Sequence, residues 1–356
     1  MAQFDYIIVG QGIAGTLLTY RLRRLGKRVA VWDKGHERAA SRVAAGIINP
    51  VTGRRFVKSW LVDRLLPEAE RTYRELESHL GKPFYHPQPL FRAIHNRGEE
   101  TDWLLRNDDP AYQTYLSADT QTQPPHPAIE PAYAYGRTHR TAQVDLPNLI
   151  GSFREMLKRE GALFETPFLP DQLEIKAPFL RYGALEAHRI VFCEGYRGRA
   201  NPWFGYLPFR AAKGEALEVS VPDFDLRAMV KQRVFLVPRG AQRYWIGSAY
   251  ELEFEDDTPT EEGRTYLADR LSDCLRSPYK IIAHRAAIRP TVADRRPFLG
   301  QHPQHDKLFI FNGLGTKGAS LTPYFSKQMA AFLEEGGALL PEVDIKRFAP
   351  SGGREC

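Results

Sequence analysis

Phe4-Asp5-Tyr6-Ile7-Ile8-Val9-Gly10-Gln11-Gly12-Ile13-Ala14-Gly15 is the stretch that decides the fold of this 356-residue chain. Phe4 to Val9 is a short, β-branched apolar run, suited to a parallel strand buried on both faces. Gly10 to Gly15 is a glycine-rich turn. Thr16 to Leu25 carries Leu17, Leu18, Leu22 and Leu25 at helical spacing, and Gly26 stops it. Arg28 to Trp32 returns as a second strand, and Asp33 ends it about 20 residues after the motif. Strand, Gly-x-Gly-x-x-Gly turn, helix, strand and terminal acid together form the context a dinucleotide needs. The glycines permit a tight turn, backbone approach to a pyrophosphate, and close helix–strand packing. The N–H groups and dipole of the helix start then hold the phosphates. The motif by itself does not separate FAD from NAD.

Working outward, a Gly/Pro-containing loop at Gly46 to Gly53 leads to a helix over about Lys58 to Leu80, with Pro67 as a kink or break. Lys82 to Tyr135 is Pro-, His- and aromatic-rich and reads as strands and loops, least structured over Gln121 to Pro131. An amphipathic helix over Pro147 to Glu160 ends at Gly161. Short strands follow, through Ile190 to Cys193. Arg210 to Tyr250 reads as antiparallel strands, with Phe235-Leu236-Val237 and Tyr244-Trp245-Ile246 joined by a Gly-containing turn. Thr260 to Leu275 is a helix. A strand at Leu308 to Phe311, a glycine turn at Gly313 to Gly318 and a helix around Pro323 to Leu333 close the pattern.

The composition excludes several classes. Hydrophobic residues at 43% and charged residues at 26% are ordinary for a soluble globular protein. A formal charge of +6, without a long Lys/Arg run, gives no footprint for nucleic acid or an anionic membrane. Cys193, Cys274 and Cys356 are far apart with no Cys-x-x-Cys pair, which argues against a disulfide scaffold or a cysteine-rich metal site and favours a cytoplasmic, reducing compartment. The ten histidines show no metal-ligand spacing, so no metal is expected, and His95 and His284 read as ordinary polar residues. Met1-Ala2-Gln3 lacks the basic region of a signal peptide, and no apolar run is long enough to span a membrane.

Further segments carry a resemblance along nearly the whole chain. Ala40-Ser41-Arg42-Val43-Ala44-Ala45-Gly46, Leu207-Pro208 with Lys213-Gly214-Glu215, Ile288-Arg289-Pro290 with Asp294, Pro297 and Leu299-Gly300, and Gly313-Leu314-Gly315-Thr316-Lys317-Gly318 occur in this order. The pattern resembles the FAD-dependent amine and amino acid oxidoreductase family, which includes D-amino acid oxidase, sarcosine oxidase and glycine oxidase, the last being the member it is most similar to. The resemblance implies FAD rather than NAD, since the far glycine turn meets a flavin.

It also implies an α/β fold, α+β overall, with a Rossmann-like FAD-binding domain and an antiparallel-sheet substrate domain. The expected division is 1–82 with 142–206 and 283–356 for FAD, and 83–141 with 207–282 for substrate. The cofactor residues it implies are Gly10, Gln11, Gly12, Ile13, Ala14, Gly15, Asp33, Lys34, Ser41, Arg42, Ala45, Gly46, Phe168 beside Glu165-Thr166-Pro167, Gly195, Gly313, Gly315, Thr316, Lys317 and Gly318. Arg289 is the residue implied to pair with a substrate carboxylate, because a guanidinium matches a carboxylate in a two-bond fork. Lys317 and Thr316 are implied to stabilise charge on a reduced flavin.

Phe235 is implied in the substrate pocket, and Tyr250, together with Tyr244 and Trp245, is a candidate for it among aromatics that fit either a pocket or a core. Glycine and D-amino acid oxidases have a substrate-binding tyrosine where Phe235 falls, so one carboxylate contact is missing here. Covalent flavin attachment of the sarcosine oxidase kind needs a C-terminal cysteine. None lies between Arg289 and Gly318, and Cys274 and Cys356 do not fit, so FAD is expected to be non-covalent. The expected chemistry is oxidation of a C–N bond of a small amine or amino acid by hydride transfer to flavin N5, with oxygen or another acceptor taking the electrons. Flavin-dependent modification of tRNA wobble side chains and a non-catalytic flavin-binding protein are the alternatives. Oligomeric state is not legible.

Overall fold

The computed structural model describes residues 2–35 and 37–348; Met1 and Cys356, both used above, lie outside the described residues. The chain divides into two compact units. The first comprises residues 1–42, 146–212 and 288–356, and the second 43–145 and 213–287.

An eight-stranded sheet forms the first unit. Its central strand Ala2–Val9 pairs in parallel with Val29–Trp32 on one side and Leu185–Phe192 on the other, placing Val9 opposite both Trp32 and Phe192. Leu163–Phe164 extends the first edge, and Leu308–Asn312 joins Leu185–Phe192 in parallel, opposing Phe192 to Ile310. The apolar run reads as it does because both faces are covered: Tyr6, Ile7, Ile8 and Val9 are all at most 4% exposed. Ile7 and Val9 enter a core with Phe192, Phe204, Phe298 and Ile310. Helix Ile13–Arg24 packs against helices Leu146–Arg159 and Gly318–Glu335. The last of these starts five residues before the expected Pro323 and runs through it.

The second unit also centres on an eight-stranded sheet, in the order Lys280–Arg289, Ala212–Ser220, Arg243–Gly247, Phe235–Pro238, Met229–Lys231, Leu90–Ile94, Ala134–Thr138, Leu116–Gln121. From Ala212–Ser220 onward the pairs are antiparallel, except that Met229–Lys231 runs parallel to Leu90–Ile94. Strand alternation separates the faces. Val230, Leu236, Ile246 and Ala93 join the core that includes Leu267 and Leu271 of helix Glu261–Ser272. Leu90, Met229 and Val237 turn the other way, onto Ala45, with Phe235 and Trp245 half-buried beside them.

Two sequence expectations need correction. Residues 43–82 belong to the second unit. Trp245 Nε1 donates to Val43 O at 2.9 Å, Arg239 donates to Ala44 O at 3.1 Å, and Ile47–Ile48 pairs with Ala142–Val144. Conversely, residues 207–212 pack with the first unit, where Arg210 N–H donates to Thr291 O and Phe209 bridges to Val292. The second correction is a helix, Arg97–Asp108, inside the region read as strands and loops. Asn96 caps it by accepting from Glu99 N–H, and Glu99 reaches back to His95 N–H at 3.0 Å.

Glu215 is fully buried in the second unit and is satisfied from several directions. It accepts from His284 Nε2 at 2.6 Å and from the N–H and hydroxyl of Thr260, and it pairs with Lys213 at 3.2 Å. Removing one member of a buried ion pair leaves an uncompensated charge. Lys213→Met is therefore expected to cost about 3 kcal/mol, read as a lower denaturant midpoint with unchanged slope. An unchanged midpoint would contradict this assignment.

Candidate functional site

Strands Ala2–Val9, Leu185–Phe192 and Leu308–Asn312 of the first unit all end at one edge, where their carboxyl-terminal turns meet. In open α/β sheets such an edge is where ligands sit. Gly10 has φ +98°, and a Cβ there would lie 2.5 Å from Cys193 O. A Cβ on Gly15 would lie 1.9 Å from Gly10 O. The outer glycines of the motif are thus fixed by packing. Gly12 differs: its φ of −77° suits any residue, and an added Cβ would meet only Ser41 Oγ, at 3.4 Å. What requires glycine at position 12 is whatever lies in front of it.

The helix Ile13–Arg24 has no side-chain cap and no acid in its first turn. Its first internal bond is Thr16 N–H to Gly12 O, so the N–H groups of Ile13, Ala14 and Gly15 precede the helical ladder. Ile13 N–H donates to Ser41 Oγ at 3.1 Å, which brings Ser41 to the motif. A second uncapped start lies alongside. Helix Gly318–Glu335 likewise lacks a side-chain cap and a first-turn acid, and a Cβ on Gly318 would be 3.5 Å from Ile13 Cγ2. Two helix N-termini free of acids converge, a setting for anionic groups. This donor set fits the pyrophosphate of a dinucleotide.

Arg289, Pro290 and the far glycine turn are tied together. Gly315 N–H donates to Pro290 O at 3.1 Å, and a Cβ on Gly313 would meet Val292 Cγ1 at 2.9 Å. Asn312 holds the same turn to the neighbouring strand end, donating from Nδ2 to Gly195 O at 2.9 Å and accepting from Gly313 N–H. Lys317 is half-buried at the helix start, and burial, with Arg296 and Arg295 adding to it, pushes its ammonium pKa down. Thr316 is exposed.

Asp33 is more committed than expected. Its carboxylate accepts from Gln11 N–H and Gly35 N–H, each at 2.7 Å, and from Arg154 at 2.9 Å. A carboxylate offers roughly four lone-pair sites, so about one remains for a ribose hydroxyl. Arg154 was not legible from the sequence. It is 6% exposed and bonds Asp33, Gln11 and Glu165 at once, fixing the glycine turn to helix Leu146–Arg159. Gln11 is 4% exposed and donates to Thr16 Oγ1 and Ile150 O, so its side chain serves the loop's shape. Lys34 is exposed. Phe168 stacks on Tyr182 at 4.4 Å, next to a stacked Trp32–Phe164 pair at 4.5 Å.

The remaining expected residues fall elsewhere. Arg42 closes the first segment of the first unit, whereas Ala45 and Gly46 lie in the second. There a Cβ on Gly46 would strike Val144 O at 1.9 Å. Phe235 and Tyr250 also lie in the second unit, Tyr250 56% exposed and Phe235 half-buried. Tyr244 is in the core, with its hydroxyl on Phe224 O, and Trp245 lies on the opposite face. Among the described residues, no group of three His, Cys, Asp or Glu could hold a metal, and no helix is long and apolar enough to cross a membrane.

Glu194, unremarked in the sequence, follows Cys193 beside Gly10. Burial raises its carboxyl to about 7, opposed by a hydrogen bond from Asn201 at 2.8 Å. The fold then binds more protons than the unfolded chain between the ordinary carboxyl value of 4.5 and 7. Stability is full below the lower value and falls as pH rises through the upper one. Glu194→Gln is expected to raise stability by about 1–3 kcal/mol near pH 8 and to leave it unchanged near pH 4. An equal change in melting temperature at both pH values would contradict it.

Comparisons with known proteins agree with this architecture. Residues 5–332 match the FAD dependent oxidoreductase family. The glycine oxidase of Pseudomonas aeruginosa is 26% identical over 378 residues, covering 97% of this chain and 98% of that protein. The glycine oxidase of Pseudomonas putida is 25% identical, at 97% and 98% coverage. Among solved structures, glycine oxidase from Geobacillus kaustophilus superposes with a TM-score of 0.81 at 22% identity, covering 99% of this chain and 100% of that one. L-proline dehydrogenase from P. horikoshii gives 0.78 at 16% identity, with 98% of each chain covered. A glycine turn and acid-free helix start built for a pyrophosphate, a second turn beside it and a match along nearly the whole length lead to one conclusion: the chain belongs to the FAD dependent oxidoreductase family, with FAD as its cofactor.

Proposed function

We propose that the protein oxidises the C–N bond of a small amino acid or related amine. The observation that carries this reading is the convergence of the Gly10–Gly15 and Gly313–Gly318 turns, with Arg289 two residues from Thr291, over which Gly315 sits. It is supported by full-length similarity to proteins named glycine oxidase. Bound non-covalently, FAD would supply the two-electron acceptor that oxidation of the C–N bond needs. The chain's own residues do the positioning. The backbone of Gly12 to Ala14 would hold the pyrophosphate of FAD, Asp33 would accept from a ribose hydroxyl, and Phe168 is the candidate for the adenine side. Arg289 pairs with the substrate carboxylate, orienting the carbon to be oxidised. Lys317 and the start of helix Gly318–Glu335 stabilise negative charge on the flavin. Phe235 and Tyr250, both in the second unit, are further candidate substrate-contacting residues. Cys193 and Cys274 are free and buried, in keeping with the cytoplasm as its location.

The test is anaerobic mixing of holoenzyme with glycine, N-methylated glycine, D- and L-amino acids and cyclic imino acids, watching the visible flavin band. Bleaching by one of these classes is the expected result, and reoxidation by oxygen or by a dye then distinguishes an oxidase from a dehydrogenase. If dithionite bleaches the flavin and no amine or amino acid does, the reading fails.

A further inference from the structure

Within the first unit, helix Leu146–Arg159 grips the glycine turn at two positions one helical turn apart. Ile150 O accepts from Gln11 Nε2 at 3.1 Å, and Arg154 Nη1 donates to Gln11 Oε1 at 3.2 Å. The same Nη1 donates to Asp33 Oδ1 at 2.9 Å. Nη2 donates to Asp33 O at 2.8 Å and to Glu165 Oε1 at 2.9 Å. All four Nη protons of this buried guanidinium are thus committed. A lysine could not repeat the pattern, because its protons radiate from one nitrogen rather than from a planar fork.

The bonds to Asp33 are unevenly divided between its two oxygens. Oδ1 accepts from Gly35 N–H at 2.7 Å and from Arg154, which fills its two lone pairs. Oδ2 accepts from Gln11 N–H at 2.7 Å. Its second lone pair is the acceptor position left over, on the oxygen already bonded to the glycine turn. Rotation of the carboxylate would carry Oδ2 away from the turn, and it has to break both bonds to Oδ1. Glu165 balances the charge on the other side of the guanidinium and is itself paired with Lys158 at 3.1 Å. An acid at the end of the second strand is the group that accepts from an adenosine ribose.

We propose that Arg154 is a positioning residue for the adenosine end of FAD: by closing Asp33 Oδ1 it presents Oδ2 to a ribose hydroxyl. This rests on Asp33 as the ribose acceptor, and Arg154 acts through Asp33 without touching a reacting atom. Its hold on Gln11 keeps the turn that would take the pyrophosphate in the same frame as that carboxylate. Its positive charge also offsets the negative charge of Asp33, which would otherwise oppose an approaching phosphate.

The test is the FAD dissociation constant of the full-length protein, read from flavin fluorescence as FAD is titrated into the deflavinated chain. It is measured for the parent, Arg154→Met, Arg154→Lys, Asp33→Asn and each Arg154 variant combined with Asp33→Asn. Arg154→Met and Asp33→Asn are each expected to weaken FAD at least about 10-fold, the scale of one lost charge-assisted hydrogen bond. The Met/Asn double variant is expected to bind no more than about threefold weaker than Asp33→Asn alone, because Arg154 then has no ribose acceptor to aim. Arg154→Lys keeps the charge without the fork and is expected to fall between the parent and Arg154→Met. Losses that simply multiply in the double variant overturn the proposed role, since an arginine that only holds the helix to the turn would cost the same in either background. Parent-like FAD affinity in Arg154→Met, alongside a loss in Asp33→Asn, overturns it as well. FAD affinity unchanged in Asp33→Asn removes the ribose contact itself and with it this role. Should Arg154→Met not fold, Arg154→Lys runs the same cycle: a loss that vanishes in the Asp33→Asn background supports the role, and a loss that persists there, or no loss at all, overturns it. The titration needs no turnover, so failure of every amine to bleach the flavin would sink the proposed reaction and leave this result standing.

Discussion

Gly12→Val is expected to purify folded but without flavin. The backbone at Gly12 is in an ordinary extended region, and an added Cβ meets nothing nearer than Ser41 Oγ at 3.4 Å. The protein alone therefore tolerates a side chain there. The isopropyl group would instead fill the space in front of the first N–H groups of helix Ile13–Arg24, where the phosphates must come within hydrogen-bond distance. FAD affinity should fall at least about 100-fold, or ~2.7 kcal/mol, with circular dichroism and melting of the flavin-free protein close to the parent's. Gly15→Ala is the contrasting control. Its Cβ would overlap Gly10 O at 1.9 Å, so the turn itself should fail and soluble protein should be lost. A Gly12→Val protein that retains a full complement of FAD would remove the pyrophosphate from this turn.

The second large effect is expected at Arg289. Two charge-assisted hydrogen bonds to a carboxylate, each worth about 1.5–3 kcal/mol, set the scale. Arg289→Ala should lower kcat/KM for an amino acid about 10²- to 10⁴-fold, while flavin content and spectrum stay as in the parent. An amine without a carboxylate should lose little, since it offers the guanidinium no carboxylate to bind. Equal losses for both kinds of substrate would show that Arg289 acts on the fold, or on the turn held through Pro290 and Gly315, rather than on the substrate.

The first βαβ unit was legible because its signals are local. A buried parallel strand needs a continuous apolar run, and Gly10 and Gly15 are excluded from being anything else by contacts within a few residues of themselves or on the next strand. The far turn at Gly313–Gly318 was legible only through resemblance, since nothing in its own spacing says that it lies beside Ile13. The first unit's opening segment ends at residue 42 and not at 82, because the cofactor motif does not carry the segment that follows it. What assigns 43–82 is pairing with residues distant in the sequence, such as Val43 with Trp245 and Ile48 with Ala142.

Helix Arg97–Asp108 was missed although its start, Asn96 with Glu99 three residues on, is a capping signal. The Pro and aromatic residues around it outweighed that cue. Arg154 and Glu194 were out of reach for a different reason. Each is an ordinary charged residue in sequence and becomes unusual only through burial and neighbours that a linear reading does not contain.

The most direct measurement is the visible absorption spectrum of the purified, folded protein, followed by release of its chromophore on heat denaturation. A bound flavin spectrum is predicted, with intact FAD released in a 1:1 ratio to the chain. Folded protein that is colourless and does not take up added FAD would contradict the account.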